Sequence, residues 1–147
     1  MWRPSVTVAA VIERDGRFLL VEEEANGRRV LNQPAGHLDP GESLQAAVAR
    51  EVLEETAHRF EPNALVGIYR WIYEPEAVTF LRFCFSGDVT GTETRSLDKE
   101  IVALHWLTPE ELHEKSSMHR SPLVQQCVDD FLAGQRFPLQ VLSKAYG

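Results

Sequence analysis

Arg50-Glu51-Val52-Leu53-Glu54-Glu55 places three carboxylates within one turn of any helix that carries it. Unpaired, carboxylates at i, i+3 and i+4 repel one another and lose hydration. A divalent cation removes both penalties. All-oxygen ligation suits Mg²⁺ or Mn²⁺ rather than zinc, and no Cys/His pair here has zinc-ligand spacing. A solvated acidic helix face would show the same spacing, so the preceding segment matters. Gly36-His37-Leu38-Asp39-Pro40-Gly41-Glu42 enters the helix with two glycines. Glycine lets backbone approach a ligand, and a carbonyl there can coordinate metal. Arg50, four residues before Glu54, can hold that carboxylate in one rotamer. A loop and helix of this kind can hold a metal-bound phosphate.

The elements that must position these groups read as follows. Ser43 to His58 has helical composition, with Ser43 as N-cap and Asp39 before Pro40 as the alternative. On a helical wheel Ala46, Ala49, Leu53 and Ala57 share one side. Leu44, Ala47, Val48, Glu51 and Glu55 lie roughly opposite, with Glu54 on the flank. The alanine-rich side is expected to pack on a sheet, leaving the glutamates facing a cleft. Ser5–Glu13 and Arg17–Glu22 read as strands joined by Asp15-Gly16, and Asn26-Gly27 is a second turn. Val30-Leu31 starts a short strand before a loop, Asn32 to Gly36. Ala64–Tyr73, Ala77–Asp88 and Ile101–Leu107 are further strands. Thr108-Pro109-Glu110-Glu111 reads as a capped helix start, and a last helix spans Ser121-Pro122 to about Ala133, ended by Gly134. Mixed strands and helices in 147 residues predict one α/β sandwich domain over 1–147.

The net charge of −7 makes long nucleic acid a poor partner, since phosphate contacts need a basic face. Handling phosphate then calls for local positive charge, which a metal ion supplies. Cys84 and Cys127 sit among apolar residues and read as reduced, buried thiols. No apolar run reaches membrane-spanning length, and no signal peptide is read at the N-terminus. The expected compartment is the cytoplasm.

Gly36, Glu42, Arg50-Glu51, Val52 and Glu54-Glu55 together resemble the Nudix hydrolase box. The departures are Ala57 where the family has glycine and His58 where it has an aliphatic residue; every acidic position is intact. Further segments are similar to a bacterial phosphatase subgroup of that family, the NudJ group. They include Ser5-Val6-Thr7-Val8-Ala9, Asn32-Gln33-Pro34-Ala35-Gly36-His37-Leu38, Leu81-Arg82-Phe83 and His119-Arg120-Ser121-Pro122-Leu123-Val124. The resemblance implies a Nudix-type α/β/α sandwich with a mixed β-sheet. It also implies Mg²⁺-dependent hydrolysis of nucleoside di- and triphosphates and of a thiamine-precursor pyrimidine diphosphate.

By the same resemblance, Glu51, Glu54 and Glu55 are the metal ligands, with the carbonyl of Gly36 a further candidate. Glu54 is the first choice to take the proton of the attacking water. Glu100, before a predicted strand, is either a further ligand or base, or an exposed acid. Glu42 is either structural or an indirect metal contact. Trp71 and Tyr73 share a strand face where a base can stack, or they pack the core rim. Arg82 interrupts an apolar strand and either reaches a substrate phosphate or pairs with a nearby acid. His37 and His119 read as structural or surface residues. The competing substrates are ADP-ribose or a dinucleotide, or an RNA 5′ end. A non-catalytic Nudix-fold binding module, monomeric or homodimeric like the enzyme, is the remaining reading.

Overall fold

Positive φ at Asp15 (51°) and Gly16 (78°) turns the chain back between β2 (Glu13–Arg14) and β3 (Arg17–Ala25). The same pair of angles at Asn26 and Gly27 joins β3 to β4 (Arg28–Asn32). A type I′ turn needs φ > 0 at both positions, which Asp-Gly and Asn-Gly tolerate. The computed structural model describes residues 1–142. The last five residues of the expected 1–147 domain lie outside the described residues. β1 (Ser5–Val11) precedes the first hairpin. β5 (Ala35–His37) corrects part of the expected loop: it pairs antiparallel with β1, Gly36 opposite Val8. Backbone passing beneath a buried helix needs such partners for its polar groups.

β6 (His58–Tyr73) and β7 (Val78–Thr92) form a hairpin longer at its far end than the sequence suggests. Its register slips between Pro62 and Ala64, among other places. Proline cannot donate to a ladder, and Pro62 sits at this slip on β6, the outermost strand of the order β5-β1-β7-β6. β1 and β7 run parallel and the other neighbours antiparallel, which makes the sheet mixed. β8 (Ile101–Leu107) spans the expected residues and pairs with β3, beside β2 and β4 in the second sheet.

Ser43 caps α1 (Leu44–Thr56), its hydroxyl accepting the Ala46 N–H at 3.1 Å. The helix ends on Ala57 in the left-handed region, φ 63°, a conformation that favours glycine. α2 (Pro109–Glu114) has the expected capping box between Thr108 and Glu111. α3 (Leu123–Leu132) stops before Gly134, φ 86°. Alternate residues of β1 feed two cores: Val8 and Ala10 pack with α1, while Ala9 and Val11 pack with α3. The result is an α/β/α sandwich.

One expectation about α1 is reversed. Of the expected side only Ala57, at the helix end, is buried; Ala46 is exposed and Ala49 and Leu53 are half-buried, whereas Ala47, Val48 and Val52 are fully buried together with Glu51 and Glu55. The valine side removes more apolar area from water than the alanine side. The glutamates therefore lie on the packed face itself.

Candidate active site

Glu51 and Glu55 sit one turn apart on α1 at only 9% and 5% exposure. Their neighbour is β5. The Ala35 N–H donates to Glu55 Oε1 at 2.9 Å. Gly36 approaches Glu51 so closely that a Cβ at position 36 would overlap its carboxylate. Space, rather than backbone angle, requires glycine there.

Asp98 joins them from the loop between β7 and β8. Its N–H donates to the Glu54 carbonyl and its own carbonyl accepts the Ile101 N–H, both at 3.0 Å. Carboxylate oxygens of Glu51, Glu55 and Asp98 lie within 4.8 Å of one another. Burial pushes the Glu55 carboxyl up to about 9, with the charges of Glu23, Glu51 and Asp98 adding to it. Glu51 and Asp98 are also raised, chiefly by burial. Crowded hard oxygen donors that resist ionisation together fit a divalent cation, whose charge reverses that resistance.

Arg50 ties the surrounding acids together. It makes a bidentate pair with Glu42 (2.7 and 2.9 Å), and its Nη1 donates to Glu51 (2.7 Å) and Glu54 (2.9 Å). Its Nη2 reaches the His37 carbonyl at 3.0 Å. Hydrogen bonds from Arg50 and from the Asp39 N–H hold Glu42 down to about 2. Glu42 thus sits in a structural contact, and Glu54 is held beside the acid trio rather than within it.

A cavity of about 590 Å³ opens onto the trio. Gly36, Glu100, Trp71, Phe80 and Arg82 line it, while Glu54 and Tyr73 do not. Trp71 stacks on Phe80 (centroids 5.7 Å, planes 23° apart) and leans on Tyr73. Arg82 pairs with no acid among the described residues; the side chains of Asn32 and Gln33 hold it at 2.9 Å each. His37 is exposed, and the His119 ring meets the Leu112 carbonyl at 2.9 Å. Sequence reasoning weighed Glu100 but passed over Asp98, two residues earlier. The one local signal was a second acid in the same pre-strand segment.

Comparison with known proteins places this arrangement. The NUDIX domain family model matches residues 1–127. Phosphatase NudJ of Escherichia coli K12 is 40% identical over 143 residues, covering 97% of this chain and 92% of that protein. A NUDIX hydrolase from Nitrosomonas europaea superposes with a TM-score of 0.95 at 52% identity, covering 99% of each chain. A MutT NUDIX hydrolase from Burkholderia pseudomallei shares the fold at 23% identity, with a TM-score of 0.76 over 88% of this chain and 98% of its own. The chain belongs to the Nudix hydrolase family. Within that family it is a phosphoanhydride hydrolase, similar over nearly its whole length to a bacterial phosphatase. Among the described residues no helix is long and apolar enough to cross a membrane.

Proposed function

We propose that this protein hydrolyses nucleoside di- and triphosphates or related small organic diphosphates, a thiamine-precursor pyrimidine diphosphate included, in a Mg²⁺-dependent reaction that Mn²⁺ also supports. One observation carries the reading: a single cavity is lined by crowded carboxylates, a stacked aromatic pair and a buried guanidinium. Those are the groups needed for a cation, a ring and a phosphate.

Glu51, Glu55 and Asp98 would hold the cation, with Glu54 and the Gly36 carbonyl as neighbouring oxygen donors. A bound divalent cation neutralises phosphate charge and makes a nearby water more acidic. Glu54 then takes the water's proton on the oxygen that Arg50 leaves unbonded. The water oxygen bonds to phosphorus as the bridging P–O bond breaks, and the leaving phosphate carries off the electron pair. Arg50 acts at one remove, fixing the Glu51 and Glu54 carboxylates. Trp71, with Tyr73 behind it, offers the ring a stacking surface.

A second assignment of the proton has its own observation, since Glu100 lines the cavity and Glu54 does not. Comparing Glu54→Gln with Glu100→Gln separates them: the true base shows the larger fall in kcat and loses the acidic limb of the pH–rate profile.

The test of function is a substrate panel with Mg²⁺, read for orthophosphate against pyrophosphate. Nucleoside di- and triphosphates, dinucleoside polyphosphates, nucleotide sugars and thiamine-pathway diphosphates belong in it. So does ADP-ribose, because the Nudix domain of Shewanella oneidensis NrtR is known complexed with ADP ribose. A net charge of −7 disfavours RNA ends. No turnover of any member overturns the proposal, as does full activity in EDTA. Two free buried thiols support a cytoplasmic location, and gel filtration distinguishes monomer from homodimer.

A further inference from the structure

Arg82 is the one buried arginine among the described residues, at 6% exposure, yet it lines the cavity. Its Nη1 donates to Gln33 Oε1 and its Nη2 to Asn32 Oδ1, both at 2.9 Å. Among the described residues the only other acceptor within reach is Cys127 Sγ at 3.9 Å, a weak one. Burying a guanidinium without a counter-charge is unfavourable. Aspartate and glutamate, nearly isosteric with these two amides, would relieve it, and the chain uses neither.

Gln33 is itself fixed. Gln33 is 1% exposed, and its Nε2 donates to the Val124 carbonyl on α3 at 2.7 Å. Reversing the amide would set its nitrogen against the guanidinium and its oxygen against a carbonyl, so Oε1 must face Arg82. Asn32 is 7% exposed at the end of β4 and lines the same cavity. The pair fixes the guanidinium plane and leaves its charge whole.

Position completes the argument. Arg82 lies opposite Thr7 on β1, and Thr7 lies opposite His37 on β5, the strand against the acid trio. Its backbone is therefore two strand spacings, roughly 10 Å, from β5. The cavity has an acidic end and a cationic wall.

We propose that Asn32 and Gln33 are positioning residues that hold Arg82 as an uncompensated cation for an anionic phosphoryl oxygen of the substrate. The inference rests on the hydrolase reading above and narrows it. The preferred substrates carry a phosphoryl group at Arg82 as well as one at the acid trio, so a diphosphate binds better than a monophosphate ester.

Asn32→Asp tests this most directly, because it keeps the acceptor for Arg82 and adds a charge; Gln33→Glu keeps its acceptor too but gives up the donor to the Val124 carbonyl, so its melting temperature is measured alongside. In Asn32→Asp a purely structural role predicts unchanged or tighter folding and unchanged substrate binding. The proposal predicts a KM for a nucleoside diphosphate raised tenfold or more in both variants, with kcat within about threefold, and a melting temperature not lowered in Asn32→Asp. Arg82→Gln should raise KM as much, and adding Gln33→Glu to it should raise KM no further. Methylene diphosphonate, a non-hydrolysable diphosphate, provides a readout independent of turnover. Its Kd measured calorimetrically in Mg²⁺ should rise tenfold or more in the same variants. Unchanged Kd and KM in folded Gln33→Glu and Asn32→Asp overturn the proposal, as does failure of the wild type to bind the diphosphonate. If the diphosphonate binds in an Arg82-dependent way while no panel member is hydrolysed, the hydrolase reading falls and this one stands.

Discussion

Glu55 illustrates how one side chain can be both structural strain and functional capacity. Buried beside Glu23, Glu51 and Asp98, it keeps its proton up to about pH 9 without metal. Its folded pKa is raised above its unfolded value. The folded state therefore binds the proton more tightly, and this contribution is fully present below the unfolded pKa of 4.5 and lost as pH rises through about 9. Thermal melts in EDTA should show stability falling over that window, by at most about 1.4 kcal/mol per pH unit from this group. Glu55→Gln, which retains an acceptor for the Ala35 N–H, should flatten that dependence. It should also lower kcat/KM on the order of a hundredfold or more, through loss of a cation ligand. A Gln variant with wild-type kinetics would remove Glu55 from the site. Gly36→Ala should disable the enzyme by a different route, since its Cβ would displace the Glu51 carboxylate; activity measured alongside circular dichroism distinguishes that from unfolding.

At the scale of elements, α1 carries the acids and its ends decide how firmly. Its exit runs through Ala57 at φ 63°, a conformation that strains any residue with a Cβ. Ala57→Gly should stabilise the protein by about 0.5–1 kcal/mol, the relief of strain exceeding the added freedom of the unfolded chain. Urea denaturation gives the value, and an unchanged midpoint would mean that neighbouring contacts already offset the strain. α2 is held differently, by the reciprocal Thr108–Glu111 box. Thr108→Ala should cost about 1 kcal/mol in the same assay while leaving activity intact, because neither residue lines the cavity.

For the molecule as a whole, the acids that line the cavity come from distant stretches of chain: Glu23 and Glu24 on β3, Asp39 before α1, Glu51 and Glu55 on α1, and Asp98 and Glu100 before β8. A cation bound between α1 and the Asp98 loop ties these parts together only in the folded state. At a Mg²⁺ concentration about a hundredfold above its Kd, stabilisation should reach about 2.7 kcal/mol, raising the melting temperature by roughly 5–10 °C. EDTA should return it to the metal-free value. A melting temperature indifferent to Mg²⁺ and Mn²⁺ would argue that no cation joins these elements.

What the sequence determined by itself was local. Asp15-Gly16 and Asn26-Gly27 specified their turns through backbone sterics, and Ser43 and the Thr108–Glu111 pair specified helix starts through neighbouring N–H groups. The spacing from Gly36 to Glu55 pointed to the family because its groups lie on one continuous stretch of about twenty residues. Tertiary structure alone decided what depends on remote partners. Which apolar side of α1 packs could not be read from a wheel that carries two such sides, and the valine side took Glu51 and Glu55 inward with it. Asp98 lies far along the chain from Glu55 and is held at the trio by backbone hydrogen bonds to Glu54 and Ile101. Arg82 was legible as an interruption in a strand, but its neutral amide partners, Asn32 at the end of β4 and Gln33 between β4 and β5, are brought there by the pairing of β5 with β1 and β1 with β7 that no local pattern encodes.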